Sequence, residues 1–119
     1  MWVNFNFFCF AVNYWPTTKG KLCSNNGAEA ITDKDECKRT LPDVQRVYSG
    51  AKFFSGSSPT QVKNPIRPKG CYMVISTQVI NFNAHSTGRT VEDSGTYYAQ
   101  ICKQIGKYTV VIYLIIKIL

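Results

Sequence analysis

The sequence has a single histidine among 119 residues, no Cys-x-x-Cys pair and no Asn-x-Ser/Thr sequon. Each absence removes a class of function or a check on one. Structural zinc sites take their ligands from close-spaced Cys or His pairs, which argues against a metal site here. With one histidine and no nucleophile motif, the usual arrangements for covalent catalysis are missing, and no cofactor is expected. Without a sequon, N-glycosylation offers no check on secretion. No apolar run reaches the ~20 residues that a membrane-spanning helix requires. The longest, "YTVVIYLIIKIL", occupies only residues 108–119.

Acidic residues are also scarce, seven against fourteen Lys and Arg, for a net charge of +7. That balance invites a nucleic-acid reading, but the placement of the charges weakens it. Between Cys23 and Cys102 nine basic and seven acidic residues leave only +2, and the other five basic residues lie in the flanks. No basic run is interleaved with aromatics, and no nucleic-acid motif occurs. The charge reads as solubility, and nucleic acid is not an expected partner.

What the sequence does contain is cysteine. Cys23, Cys37, Cys71 and Cys102 sit in a polar middle, while Cys9 stands alone in an aromatic N-terminus. An even set of four in a chain sized for one compact domain points to two disulfides and an oxidising compartment. The bland alternative is four buried thiols packing as small hydrophobes in a cytosolic protein.

Composition divides the chain into residues 1–19, 20–104 and 105–119. The first segment, with "MWVNFNFFCFAVNYW", is a poor secretory signal. It lacks a basic start, Asn4 and Asn6 interrupt its apolar stretch, and no small-x-small cleavage site follows. The last segment suits a buried strand and would be an aggregation hazard if exposed. Both ends are rich in residues with AT-rich codons, so each also reads as a gene-model artefact. The apolar ends are the chain's route to membrane association, and continuation past Leu119 would make it the ectodomain of a membrane-anchored protein.

In the middle, "ITDKDECKRTLP" predicts a two-turn helix. Thr32 caps it, acids crowd its first turn, Lys38 and Arg39 end it, and Pro42 stops it. A short strand is expected over 47–54, then an irregular Gly/Pro-rich loop. "CYMVISTQVINFN" predicts a hairpin pairing Tyr72–Ile75 with Val79–Phe82, closed by "AHSTGR". The expected fold is α+β: one short helix and a small antiparallel sheet of three or four strands, stapled by two disulfides. Four cysteines allow three pairings, and spacing alone does not choose among them. Cys37–Cys71 with Cys23–Cys102 is favoured, because it pins the short helix to the hairpin and joins the ends of the module. Cys23–Cys37 with Cys71–Cys102 is the runner-up.

"VEDSGTYYAQIC", Val91 to Cys102, has the look of an immunoglobulin strand F. In that family the cysteine would fall at Ala99, and a core tryptophan would follow the first cysteine. Here both tryptophans, Trp2 and Trp15, precede Cys23, so the phrase is a coincidence.

"PKGCYMV" (68–74), "VINFNAHSTG" (79–88) and "ICK" (101–103), preceded by Ile31, Thr32 and Cys37, carry a different likeness. Together they resemble a small cysteine-containing module of predicted secreted proteins from marine algae and other marine eukaryotes. The pattern there is Pro-x-Gly-Cys-Tyr, then Phe-Asn-x-His-x-Thr-Gly, then Ile-Cys. The resemblance covers about residues 20–103 and implies a secreted context and a fold outline, with no activity attached. Ile80-Asn81-Phe82 departs from the usual Val-Tyr-Phe.

The candidate ligand-binding residues are Asn81, Asn83, His85 and Thr87, whose amides and hydroxyl suit a sugar or a peptide backbone. The competing reading is a turn in which these side chains satisfy local backbone groups. Glu92 and Asp93 read as a solvated loop, not a calcium site. Lys63, Arg67 and Lys69, on a proline-stiffened loop, suit anionic glycans or simply solvent. Of Tyr97 and Tyr98, alternation sends one to the core. The functional expectation is a non-catalytic extracellular or cell-surface binding or adhesion module for an unidentified protein or glycan. The alternatives are a small secreted enzyme using His85 and the membrane-anchored ectodomain.

Overall fold

The computed structural model describes residues 2–115. Its strands are β1 (Trp2–Pro16), β2 (Glu29–Ala30), β3 (Thr60–Val62), β4 (Gly70–Val74), β5 (Val79–Asn83), β6 (Glu92–Asp93) and β7 (Thr96–Ile115). A 3-10 turn covers Cys23–Asn26, and two helices follow, α1 (Lys34–Arg39) and α2 (Leu41–Gln45). The strands form one sheet in the order β1-β7-β4-β5-β3, with β2 and β6 also paired to β7.

The hairpin forms from the two apolar runs, with Tyr72 opposite Asn81, Met73 opposite Ile80 and Val74 opposite Val79, but Ile75, expected in the strand, lies in the turn 75–78. The sheet is mixed, however, not purely antiparallel, because β3 runs parallel to β5. A parallel neighbour needs a long crossover, and residues 63–78, which include β4 itself, supply it between β3 and β5. The expected strand over 47–54 is reduced to one bridge, Lys52 to Val79. Val44 accepts from the amides of both Val47 and Tyr48, and Ala51 donates to Tyr48, so this backbone is spent on turns.

There are two helices where one was expected. Asp33, not Thr32, caps α1, its Oδ2 accepting from the Glu36 amide at 3.1 Å. Pro42 does not end the helical region. It lies in the first turn of α2, where a missing N–H leaves no bond unmade. "VEDSGTYY" is likewise more ordered than a solvated loop. Glu92 and Asp93 pair with Tyr97 and Thr96 around a two-residue turn, Ser94 (φ 50°) and Gly95 (φ 82°). Two successive positive φ values match the twist of a tight hairpin.

The apolar ends pair with each other. β1 and β7 run antiparallel in unbroken register from Trp2 opposite Ile115 to Pro16 opposite Ile101. The 104/105 boundary therefore falls inside β7. The ribbon lengthens the molecule to 73 Å, against 29 and 21 Å in the other directions. Glu36 anchors it to α1, accepting from the Tyr14 hydroxyl at 2.9 Å and from Lys103 Nζ at 3.1 Å. Burial, and the bond donated to that carboxylate, push the Tyr14 phenol above its ordinary pKa. Among the described residues no helix is long and apolar enough to cross a membrane.

The core lies between the helices and one sheet face, where Ile31, Cys37 and Val44 meet Cys71, Met73, Ile80, Phe82, Ala99 and Ile101. Alternation along β4 and β7 sends Tyr72, Tyr98, Gln100 and Cys102 to the other face. Cys37 is bonded to Cys71 and Cys23 to Cys102, with Cα separations of 5.3 and 5.5 Å. One bridge therefore serves each face. Between them Gly70 (φ 76°) passes so close to the chain before α1 that a Cβ would collide with the Ile31 carbonyl. That same carbonyl accepts from the Cys71 amide at 3.0 Å.

Two stability predictions follow from this arrangement. Replacing the Cys37–Cys71 pair with alanines should cost about 4 kcal/mol, and replacing the Cys23–Cys102 pair slightly more, on loop-closure grounds. Gly70→Ala should cost more than about 2 kcal/mol with both bridges intact, through strained φ and the collision with Ile31. Urea unfolding of the oxidised proteins measures both. A midpoint unchanged by Gly70→Ala would refute the close crossing.

Candidate ligand-binding site

Asn83 closes β5 and is 1% exposed. Its Oδ1 accepts from the amides of Asn64 at 3.0 Å and His85 at 3.1 Å. Its Nδ2 donates to the carbonyls of Asn64, Arg67 and Pro68 at 2.7 to 3.1 Å. One amide thus gathers the loop before β4 and the loop after β5. Gly88 presses the same two loops together, since a Cβ there would collide with the Arg67 carbonyl and lie 2.7 Å from Asn83 Nδ2.

The four candidate residues separate into three roles. Asn83 is spent on backbone. His85 Nδ1 accepts from the Thr87 amide at 3.1 Å, which places the proton of the neutral ring on Nε2. The Thr87 hydroxyl lies 3.1 Å from the same nitrogen. Asn81 is apart from them, its Nδ2 3.5 Å from the Tyr72 hydroxyl, beside an apolar strip of Val62, Val74 and Val79.

His85 and Asn83 instead line a small hollow of about 140 Å3 with Thr32, Lys69 and Ser86. Lys69 and Ser86 also line a larger neighbouring hollow of about 470 Å3, whose wall holds Cys23, Ser24, Arg89 and Gln100. Among the described residues no Asp or Glu lines either hollow. Gln100 fixes the shared wall: its Nε2 donates to the Lys69 carbonyl and its Oε1 accepts from the Cys23 amide, both at 2.8 Å. Behind it Arg67 lies over the Tyr98 ring at 5.0 Å, and Tyr98 meets Tyr72 edge to face. Burial pushes the Tyr98 phenol above its ordinary pKa, with the Arg67 charge opposing. Tyr97 faces outward under Lys19, whose Nζ is 3.6 Å from the ring centre.

The sequence singled out Asn83, His85 and Lys69 and set Ser86 beside His85, but missed Arg89, Ser24 and Gln100 as wall residues. Ser24 and Gln100 adjoin or approach the Cys23–Cys102 bridge, and that pairing was the available signal. Arg89 carried none. Among the described residues, no three His, Cys, Asp or Glu side chains gather where a metal would sit. The chain matches no protein-family profile, no curated protein and no solved structure.

Asn83→Ala leaves several buried backbone groups without partners and should destabilise the oxidised protein by about 3 kcal/mol. Thr87→Ala, at an exposed position, should cost under about 0.5 kcal/mol. Thermal or urea unfolding distinguishes them, and equal small losses would contradict the account of Asn83.

Proposed function

We propose that the chain is a non-catalytic extracellular binding module that holds an anionic glycan, one bearing carboxylate or sulfate groups, in the joined polar hollows. The observation that carries this reading is Lys69 and Arg89 set among Ser24, Ser86 and Thr32 with no lining carboxylate. Cations beside hydroxyl and amide groups suit charged, hydroxyl-rich ligands, whereas an apolar ligand would find little area there. Two disulfides in a chain this small support the extracellular setting, as does the resemblance to the marine secreted module. His85 acts as a hydrogen-bonding wall residue. Its Nδ1 already serves Thr87, and among the described residues no carboxylate bonds the ring to orient it as a general base.

The test is titration of the oxidised protein with a sulfated and a uronate-bearing oligosaccharide against a neutral one. Lys69→Gln with Arg89→Gln should weaken binding about tenfold or more, as expected for lost charge-assisted bonds. Lys21→Gln with Lys63→Gln, which removes the same charge elsewhere, should change it less than about twofold. Equal losses in the two variants would reduce the attraction to net charge and refute the site.

A further inference from the structure

A second concavity, sharing no lining residue with the polar hollows, lies between α1, α2 and the segment 51–57. Its volume is about 600 Å3, within the range of small-molecule sites. The floor is apolar, formed by Leu41, Pro42, Ala51 and Phe53. Lys38, Arg39 and Lys52 stand exposed around it, and among the described residues no acidic one lines it. The two ion pairs among the described residues, Arg46–Asp43 and Lys103–Glu36, use none of these three cations.

The walls are fixed before any ligand arrives. The Lys52 amide donates to the Gln78 carbonyl at 3.0 Å, and the Lys52 carbonyl accepts from the Ile80 amide at 2.8 Å. Gln45 Nε2 donates to the Ala51 carbonyl at 3.0 Å, clipping the segment to α2. On the other side the Cys37–Cys71 bridge holds α1 against β4. A preformed cleft avoids the ordering cost that a flexible one imposes on binding.

An apolar floor with a cationic rim that takes part in neither ion pair is complementary to one kind of small molecule. We propose that this cleft binds an amphiphilic anion: an aromatic or branched apolar body carrying a single carboxylate, sulfate or sulfonate. The body covers Leu41 and Phe53, and the anionic group lies among Lys38, Arg39 and Lys52. This site is separate from the glycan hollows and does not depend on them.

The probe is 8-anilinonaphthalene-1-sulfonate, followed by its fluorescence with the full oxidised chain, beside the uncharged analogue N-phenyl-1-naphthylamine. Lys38→Gln, Arg39→Gln and Lys52→Gln together should weaken sulfonate binding about tenfold or more, from lost charge-assisted contacts. They should leave the neutral probe within about twofold. All three positions are exposed, and circular dichroism checks that the variant remains folded. A control triple, Lys21→Gln, Lys34→Gln and Lys63→Gln, lowers net charge equally and should change sulfonate binding less than about twofold. Amide shifts in a nitrogen–proton spectrum should concentrate at 38–57. Any of three results overturns the proposal: equal loss in both triples, no loss in the cleft triple, or shifts confined to other parts of the chain.

Discussion

Gln100 holds four segments of this protein in one place. Its backbone carbonyl accepts from the Thr17 amide at 2.8 Å, and its amide donates to the Thr17 hydroxyl at 2.9 Å. Its side chain takes the Cys23 amide and gives to the Lys69 carbonyl. It also stands opposite Tyr72 in the β4–β7 ladder. At 5% exposure these bonds form away from water, where leaving any partner unmatched would be costly. The end of β1, the turn carrying Cys23, the approach to β4 and β7 itself therefore fit together in one arrangement.

The disulfides follow from that junction. With Gln100 on one face of β7, Cys102 shares its side and reaches Cys23, which Gln100 already holds by its amide. Ile101 points to the opposite face, into the core with Cys71, and Cys71 reaches Cys37 on α1. A six-residue helix has little stability of its own, so the bridge and the core hold it in place. The two proposed ligand sites inherit this division. The larger polar hollow lies against the Cys23–Cys102 bridge, and the amphiphile cleft begins one residue beyond Cys37.

What could be read from the sequence was local or covalent. The Tyr72–Asn81 hairpin was legible because "CYMVISTQVINFN" carries two apolar runs around a polar turn. The bridges were legible because Cys37 sits on a helix too short to stand alone and Cys23 and Cys102 bound the module. One of Tyr97 and Tyr98 is buried, namely Tyr98, but on the sheet face opposite the helix-covered core. What depended on distant partners was not legible. The parallel pairing of Thr60–Val62 with β5 leaves no local trace, and Pro42 reads as a stop unless the turn after it is known to continue as helix. The mutual pairing of the two apolar ends is a register between residues a whole chain apart. In the site, Asn83 looked like a ligand contact because it is polar and near His85. Its neighbours Asn64, Arg67 and Pro68 come from another loop, and only they show that its amide is already used.

The junction at Gln100 is most directly tested by Gln100→Met, which keeps the length of the side chain and removes both of its side-chain bonds. Urea unfolding of the oxidised variant should show a loss of about 2–4 kcal/mol, the cost of leaving the Cys23 amide and the Lys69 carbonyl buried and unpaired. A variant as stable as the parent would contradict the account, because the two segments would then be held without Gln100.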